Sequence, residues 1–105
     1  MKIDCLIVDD EIALAETTCE YFNMFEVKTA FVTSAGECER FLEEHEPSVI
    51  LLDINLGNES GFDLCKKLRK TTQIPILFIS ARSSNDDVLI ALNIGGDDYI
   101  QKPYT

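Results

Sequence analysis

Acidic residues directly follow two apolar segments of this chain. Asp9 and Asp10 come after the apolar run 3–8, and Asp53 comes after the apolar run 48–52. If both runs are parallel strands, their carboxyl ends meet at one edge of a sheet, and the three carboxylates lie close together. Carboxylates at short range repel each other, and a hard cation such as Mg²⁺, which also binds phosphate oxygens, removes that repulsion. The pattern predicts a site that handles phosphate with a divalent cation.

Two further polar residues stand at the ends of apolar runs. Ser80 follows the run 76–79, and Lys102 follows the run 99–101. The carboxylate of Asp53 can serve as a metal ligand, a base, or a nucleophile that attacks phosphorus to form an aspartyl phosphate. The nucleophilic role requires charge neutralisation on the transferring oxygens, for which the Lys102 ammonium and the Ser80 hydroxyl are candidates. Taken singly, a lysine here is typical of a surface, a serine of a turn, and the first acidic pair of a helix N-cap.

Short apolar strands alternate with amphipathic helices along the sequence. Strands are predicted at residues 3–8, 27–32, 49–52, 76–79 and 99–101, with helices that begin near Glu11, Ser34, Ser60 and Ser84. This alternation predicts a doubly wound α/β fold, with a five-stranded parallel sheet and helices on both faces. Residues 1–105 are expected to form one domain that lacks a final helix after the fifth strand. Part of one sheet face is then expected to be uncovered and to favour association.

Composition argues against several classes of protein. Nine basic and nineteen acidic residues give a formal net charge of −10, so direct binding to nucleic acid or to an anionic membrane is not expected. No apolar run approaches the ~18 residues that a membrane span requires, and no signal peptide is expected. The four cysteines form no C-x-x-C pair and accompany one histidine. This pattern favours reduced, buried thiols in a cytoplasmic protein over a zinc site.

Four motifs resemble the receiver domain of two-component response regulators, in order and spacing along the whole chain. They are Val8-Asp9-Asp10-Glu11, Leu52-Asp53-Ile54-Asn55-Leu56, Ser80-Ala81-Arg82 and Gly95-Gly96-Asp97-Asp98-Tyr99-Ile100-Gln101-Lys102-Pro103. The last motif, with the tyrosine that follows it, is most similar to regulators that carry a winged-helix DNA-binding domain. The resemblance implies a flavodoxin/CheY-like sheet with strand order 2-1-3-4-5.

The resemblance also implies the metal and phosphoryl chemistry of the site. Asp53 is then the phosphoacceptor and one of the Mg²⁺ ligands. Asp10 binds Mg²⁺ directly, Asp9 binds it mainly through water, and the backbone carbonyl of Asn55 is a further ligand. Many members have proline where this chain has Gly57, so the loop after the phosphoacceptor is expected to be looser here.

The same resemblance implies roles for three residues in the last third of the chain. Lys102 contacts the phosphoryl group, and the Lys102–Pro103 bond is typically cis in the family. Ser80 and Tyr99 form the switch pair, in which the hydroxyl moves to a phosphoryl oxygen and the aromatic ring rotates inward. In the winged-helix subfamily the last helix is part of the active dimer face. A homodimer of this chain is therefore expected to be abnormal or domain-swapped.

The function implied by the resemblance is signalling. A sensor histidine kinase donates phosphoryl to Asp53 in a Mg²⁺-dependent step that the receiver itself catalyses, and the aspartyl phosphate then hydrolyses slowly. The output domain, expected to regulate transcription, is not in this chain. One alternative is a receiver-like interaction module that is never phosphorylated. A second is a haloacid-dehalogenase-like phosphatase, although that enzyme needs a second aspartate where this chain has Asn55.

Overall fold

The computed structural model describes residues 2–80, 96 and 98–101. The strands and helices of this part, in chain order, are β1 (Lys2–Val8), α1 (Ile12–Met24), β2 (Thr29–Val32), α2 (Ala35–Glu44), β3 (Glu46–Asp53), β4 (Asn55–Leu56), β5 (Glu59–Ser60), α3 (Gly61–Leu68), β6 (Ile76–Ser80) and β7 (Asp98–Gln101). The helix predicted from Ser84 and the predicted site residue Lys102, with Pro103, lie outside the described residues.

Five of these strands form one sheet in the order β2-β1-β3-β6-β7. Every neighbouring pair in that sheet is parallel. Counted without the two short strands β4 and β5, this is the predicted order 2-1-3-4-5, and the predicted doubly wound α/β fold is confirmed. The strands β4 and β5 form a separate antiparallel pair that the sequence pattern did not predict.

The core lies on both faces of the sheet, because successive side chains of a strand point to opposite faces. One apolar cluster combines alternate residues of β1 and β3 with buried residues of α2 and α3, and it includes Leu6, Val8, Ile50, Leu52, Cys38, Leu64 and Leu68. The other cluster combines the intervening strand residues with α1, and it includes Cys5, Ile7, Leu51, Ile79 and Ala15. The central strands are therefore covered on both sides, as their nearly continuous apolar sequences predict.

Helix α2, which was predicted to begin near Ser34, starts with a capping box. Ser34 Oγ accepts a hydrogen bond from the Glu37 backbone N–H at 3.2 Å. Glu37 Oε1 in turn accepts hydrogen bonds from the backbone N–H and the hydroxyl of Thr33, at 2.7 and 2.8 Å. These bonds from Thr33 lower the pKa of Glu37 below its ordinary value. The reciprocal bonds define where α2 starts, beside the carboxyl edge of the sheet.

Two strands begin at positions that differ by more than one residue from the sequence-based prediction. Strand β2 begins at Thr29 rather than at residue 27, because the Val27 N–H donates to the carbonyl of Phe22 in the turn after α1, at 3.1 Å. Strand β3 begins at Glu46 rather than at residue 49, because Glu46 and Pro47 already pair with β1. Neither shift moves the carboxyl end of a strand, where the site is expected. Among the described residues, no helix is long and apolar enough to cross a membrane.

The thiols of Cys5 and Cys38 are expected to be almost unreactive in the folded chain. Both side chains are buried, and desolvation raises the pKa of each thiol from 9.0 to about 12. A shift of about three units lowers the thiolate fraction at pH 8 roughly a thousandfold, and the thiolate is the reactive form. Peptide mapping after iodoacetamide treatment at pH 8 should leave both residues unmodified until the chain is unfolded in guanidinium. Equal labelling rates for folded and unfolded chain would contradict the burial of these thiols.

Candidate functional site

The three predicted carboxylates meet at the carboxyl edge of the sheet. Oxygen atoms of Asp9, Asp10 and Asp53 all lie within 4.8 Å of one another. Val8 and Leu52 are direct partners in the β1–β3 pairing, so the residues that follow them leave the sheet side by side. Asp9 is 0% exposed and Asp53 is 4% exposed, whereas Asp10 is open to solvent. The sequence-based grouping of these acids is therefore confirmed.

Backbone hydrogen bonds orient two of the three carboxylates. Asp9 Oδ1 accepts from the backbone N–H of Glu11 at 2.9 Å, and Asp53 Oδ1 accepts from the backbone N–H of Asn55 at 3.1 Å. In each case the donor lies two residues further along the chain, which is the geometry of an Asx-turn. Glu11 is the N-cap residue of α1, and its own side chain makes no cap hydrogen bond. Asp9 accepts the N–H of this residue, and it lies with Asp10 and Asp53 in the acidic cluster.

A short hairpin follows Asp53 and packs against the acidic cluster. Asn55 pairs with Ser60, and two residues connect strands β4 and β5. The first of the two, Gly57, has a φ of 69°, as at the first central position of a type II′ hairpin turn. A Cβ atom at Gly57 would lie 3.6 Å from Asp10 Oδ2, so the turn borders the cluster. The expected looser loop is thus a closed hairpin, and proline, which holds φ near −65°, does not fit its turn.

Gly61, the first residue of α3, packs directly against the backbone of the phosphoacceptor candidate. Its N–H donates to the carbonyl of Ile54 at 2.7 Å. A Cβ atom at Gly61 would overlap the carbonyl oxygen of Asp53 and would stand 3.0 Å from its carbonyl carbon. Gly61 was not among the predicted site residues. The available signal was a glycine immediately after the helix cap Ser60, where the cap itself gives no reason for glycine.

The donor set fits a hard divalent cation. It consists of carboxylate oxygens, two of the three side chains are buried, and burial makes several adjacent negative charges costly. Mg²⁺ and Ca²⁺ bind oxygen ligands, whereas zinc sites favour cysteine and histidine. Asn55 lies two residues beyond Asp53 and next to the hairpin turn, so its backbone carbonyl stays a predicted ligand. The arrangement can neutralise a group that carries several negatively charged oxygens.

The predicted switch residues lie on the two strands beyond β3. Ser80 is the last residue of β6, and Asp53 pairs with the residue before it, Ile79. Ser80 is therefore at the same sheet edge as Asp53. Tyr99 lies on β7 and pairs with Phe78. The roles of Ser80 and Tyr99 in switching, and that of Lys102 in contacting phosphate, stay predictions.

Comparison with known proteins assigns the family. The family model for the response regulator receiver domain matches residues 5–105. The chain belongs to this family. This receiver domain is 35% identical over 100 residues to the heme response regulator HssR of Staphylococcus saprophyticus. The aligned segment covers 95% of this chain and 45% of HssR. It is 30% identical over 99 residues to the response regulator GraR of Staphylococcus aureus, and that aligned segment covers 94% of this chain and 44% of GraR.

Solved structures share the receiver fold. A two-component response regulator from Clostridium difficile superimposes with a TM-score of 0.93 at 27% identity, covering 98% of this chain and 85% of that chain. The BeF₃-activated N-terminal receiver domain of Klebsiella pneumoniae RstA gives a TM-score of 0.88 at 25% identity, covering 100% of this chain and 88% of that chain. The present chain spans less than half the length of the two curated relatives named above.

Proposed function

We propose that this receiver domain accepts a phosphoryl group on Asp53. The carboxylate oxygen attacks the phosphorus of a phosphohistidine in a sensor kinase, the phosphorus–nitrogen bond breaks, and the imidazole leaves and takes up a proton. The observation that carries the proposal is the position of Asp53, which is buried at a strand end with two further carboxylates within 4.8 Å. A family whose members take part in two-component signalling supports the same chemistry.

Each residue of the site has a part in this step. Asp9, Asp10 and Asp53, with the carbonyl of Asn55, would hold Mg²⁺, which supplies positive charge to neutralise the phosphoryl oxygens when bound. The hydrogen bond from the Asn55 N–H to Asp53 Oδ1 fixes the orientation of the nucleophilic carboxylate. The burial of Asp53 limits the access of water, which favours a slow rather than a rapid hydrolysis of the aspartyl phosphate.

Three further residues are proposed to contact the phosphoryl group or to change position when it is present. Lys102 would contact it with its ammonium group, and the Ser80 hydroxyl would move to one of its oxygens. Tyr99 would then rotate inward and change the surface that a partner recognises. Switching such a surface from mostly inactive to mostly active takes about 5.5 kcal/mol of differential stabilisation.

The output is proposed to lie in another domain of the same regulator. Residues 1–105 are proposed to constitute the receiver, and its relatives are more than twice as long as the segment they share with it. A DNA-binding domain that regulates transcription would fit that additional length. The receiver itself, with a net charge of −10, is not expected to bind nucleic acid. We propose a cytoplasmic location.

Phosphorylation of the intact chain tests the proposal. Incubation with acetyl phosphate and Mg²⁺ should give one phosphoryl adduct by intact mass, and EDTA should prevent it. Asp53→Asn should give no adduct. Asp63→Asn is the matched control, because Asp63 is an exposed aspartate in the first turn of α3, and this variant should be phosphorylated like the native chain.

Two other results would favour the alternatives. A folded native chain that forms no adduct would indicate an unphosphorylated interaction module. Rapid multiple turnover of unrelated phosphate esters would indicate a phosphatase. An adduct that persists in Asp53→Asn would show that another residue is the acceptor.

A further inference from the structure

The side chain of Glu59 links the hairpin beside the acidic cluster to helix α2. Glu59, on β5, accepts a hydrogen bond from the backbone N–H of Ala35 at its Oε1 atom, at 3.1 Å. Ala35 is the first residue of α2, so its N–H has no partner within the helix. A carboxylate at a helix N-terminus is further favoured by the helix dipole. Glu59 therefore joins two elements that are 24 residues apart in the sequence.

The other end of the same hairpin borders the metal-site candidates. Asn55 donates its backbone N–H to Asp53, and the turn at Gly57 lies against Asp10. Leu56 pairs with Glu59 across the hairpin and is 4% exposed within the apolar core. The hairpin thus has an apolar anchor at Leu56 and a polar anchor at Glu59. Because only two residues connect its strands, displacement of one strand displaces the other.

We propose that Glu59 is a positioning residue for the cation site. By accepting the N–H of Ala35, its carboxylate holds the β4–β5 hairpin at a fixed distance from Asp10 and Asp53, so that the cation finds its ligands already arranged. If Leu56 alone held the hairpin, the hairpin would become ordered only when the cation binds. The entropic cost of that ordering would weaken the affinity for the cation. The proposal rests on the proposed function, since it assumes that the acidic cluster binds Mg²⁺.

Mg²⁺ titration calorimetry on the full chain provides the test. Removal of one charge-assisted hydrogen bond in Glu59→Ala should raise the Mg²⁺ dissociation constant roughly three- to tenfold. Glu59→Gln removes the charge but keeps an acceptor for Ala35, and its dissociation constant should stay within about twofold of the native value. Ser34→Ala removes another hydrogen bond at the start of α2, one that does not involve the hairpin. This control should lower thermal stability and leave the dissociation constant unchanged.

Phosphorylation by acetyl phosphate gives a second readout. At limiting Mg²⁺ the Glu59→Ala variant should form its adduct more slowly than the native chain, and at saturating Mg²⁺ it should recover the native rate. A residue that merely stabilised the fold would not give this dependence on Mg²⁺ concentration.

Distinct results would overturn the inference. Equal dissociation constants for Glu59→Ala and Glu59→Gln, both raised, would show that the negative charge acts on the cation directly. Weakened binding in Ser34→Ala would show that fraying of α2 suffices. A native affinity in Glu59→Ala would refute the role of Glu59 and leave the proposed function intact. A native chain that binds no Mg²⁺ would refute the metal site itself, and this inference with it.

Discussion

Gly61→Ala is expected to destabilise the domain by about 3 kcal/mol, because the added methyl group has no space. The new Cβ atom would overlap the carbonyl oxygen of Asp53 and approach the Cα atom of Ile54 to 3.0 Å. These neighbours are backbone atoms, which cannot rotate away as the end of a side chain can. Either the start of α3 or the end of β3 must shift, and each shift moves the Asp53 carboxylate relative to the other two.

The Gly61→Ala substitution should lower both the free energy of unfolding and the extent of phosphorylation. Urea unfolding should show the lower free energy of unfolding, and acetyl phosphate with Mg²⁺ should give less phosphoryl adduct than the native chain at a temperature where the variant is still folded. Circular dichroism at that temperature separates misplacement of Asp53 from loss of the fold.

Gly36→Ala is the matched control for this substitution. Gly36 lies in α2, and a Cβ atom there would meet the Arg40 guanidinium at 3.5 Å, an ordinary contact with the end of a side chain. Alanine is favoured over glycine within a helix, so this variant should be about 0.5–1 kcal/mol more stable than the native chain. A Gly61→Ala variant with native stability and native phosphorylation would contradict the close approach of α3 to Asp53.

The grouping of the acidic residues could be predicted because its causes are local in the sequence. Asp9 and Asp53 each follow a run of apolar residues that is long enough for a buried strand. Once both runs are placed in a parallel sheet, the direction of the strands brings their carboxyl ends to one edge. The starts of two helices were also predictable from local residues, since Ser34 and Ser60 each cap the following helix through the side-chain oxygen.

The hairpin at residues 55–60 could not be predicted in this way. Its two strands have two residues each, which is too short for any hydrophobic period to be recognised. Gly57 and Asn58 are ordinary turn residues, and their type does not show that the turn borders Asp10. The family's usual proline at position 57 suggested a looser loop, whereas the positive φ of Gly57 permits a tight turn that proline cannot form.

The contacts of Gly61 and Glu59 depend on distances through space. Gly61 meets the Asp53 backbone because α3 starts where β3 ends, and Glu59 meets Ala35 because α2 starts beside the hairpin. The glycine after the cap residue Ser60 is a local sign of the first approach, but nothing local in the sequence indicates the second. These two residues are consequently where the structure adds most to the sequence-based account of the site.

Asp9→Asn is expected to stabilise the domain in the absence of divalent cations. The oxygen atoms of the three aspartates lie within 4.8 Å of one another, and at an effective dielectric constant of about 20 two such charges repel by roughly 3 kcal/mol. After the change in hydration is allowed for, a net gain of about 1–2 kcal/mol is expected. Asparagine has a similar volume and keeps the Oδ1 acceptor for the Glu11 N–H. The substitution therefore removes a charge and leaves the local backbone bond in place.

The same substitution should abolish most of the stabilisation by Mg²⁺. A ligand that binds only the native state, at a free concentration of about 100 times its dissociation constant, raises the free energy of unfolding by about 2.7 kcal/mol. With one carboxylate replaced by an amide, the cluster attracts the cation less strongly, and the variant should gain little. The two proteins are thus expected to exchange rank, with Asp9→Asn more stable in EDTA and the native chain more stable in saturating Mg²⁺.

Thermal unfolding with and without Mg²⁺ measures this exchange. In EDTA the midpoint of Asp9→Asn should exceed that of the native chain by about 5–10 °C, as expected for a domain of this size. Asp63→Asn removes an equal charge from the exposed first turn of α3, where a carboxylate favours the helix dipole, so its midpoint should fall slightly and its response to Mg²⁺ should be native. An Asp9→Asn midpoint below that of the native chain in EDTA would mean that repulsion within the cluster does not limit stability. An unchanged Mg²⁺ response would mean that the cation binds elsewhere.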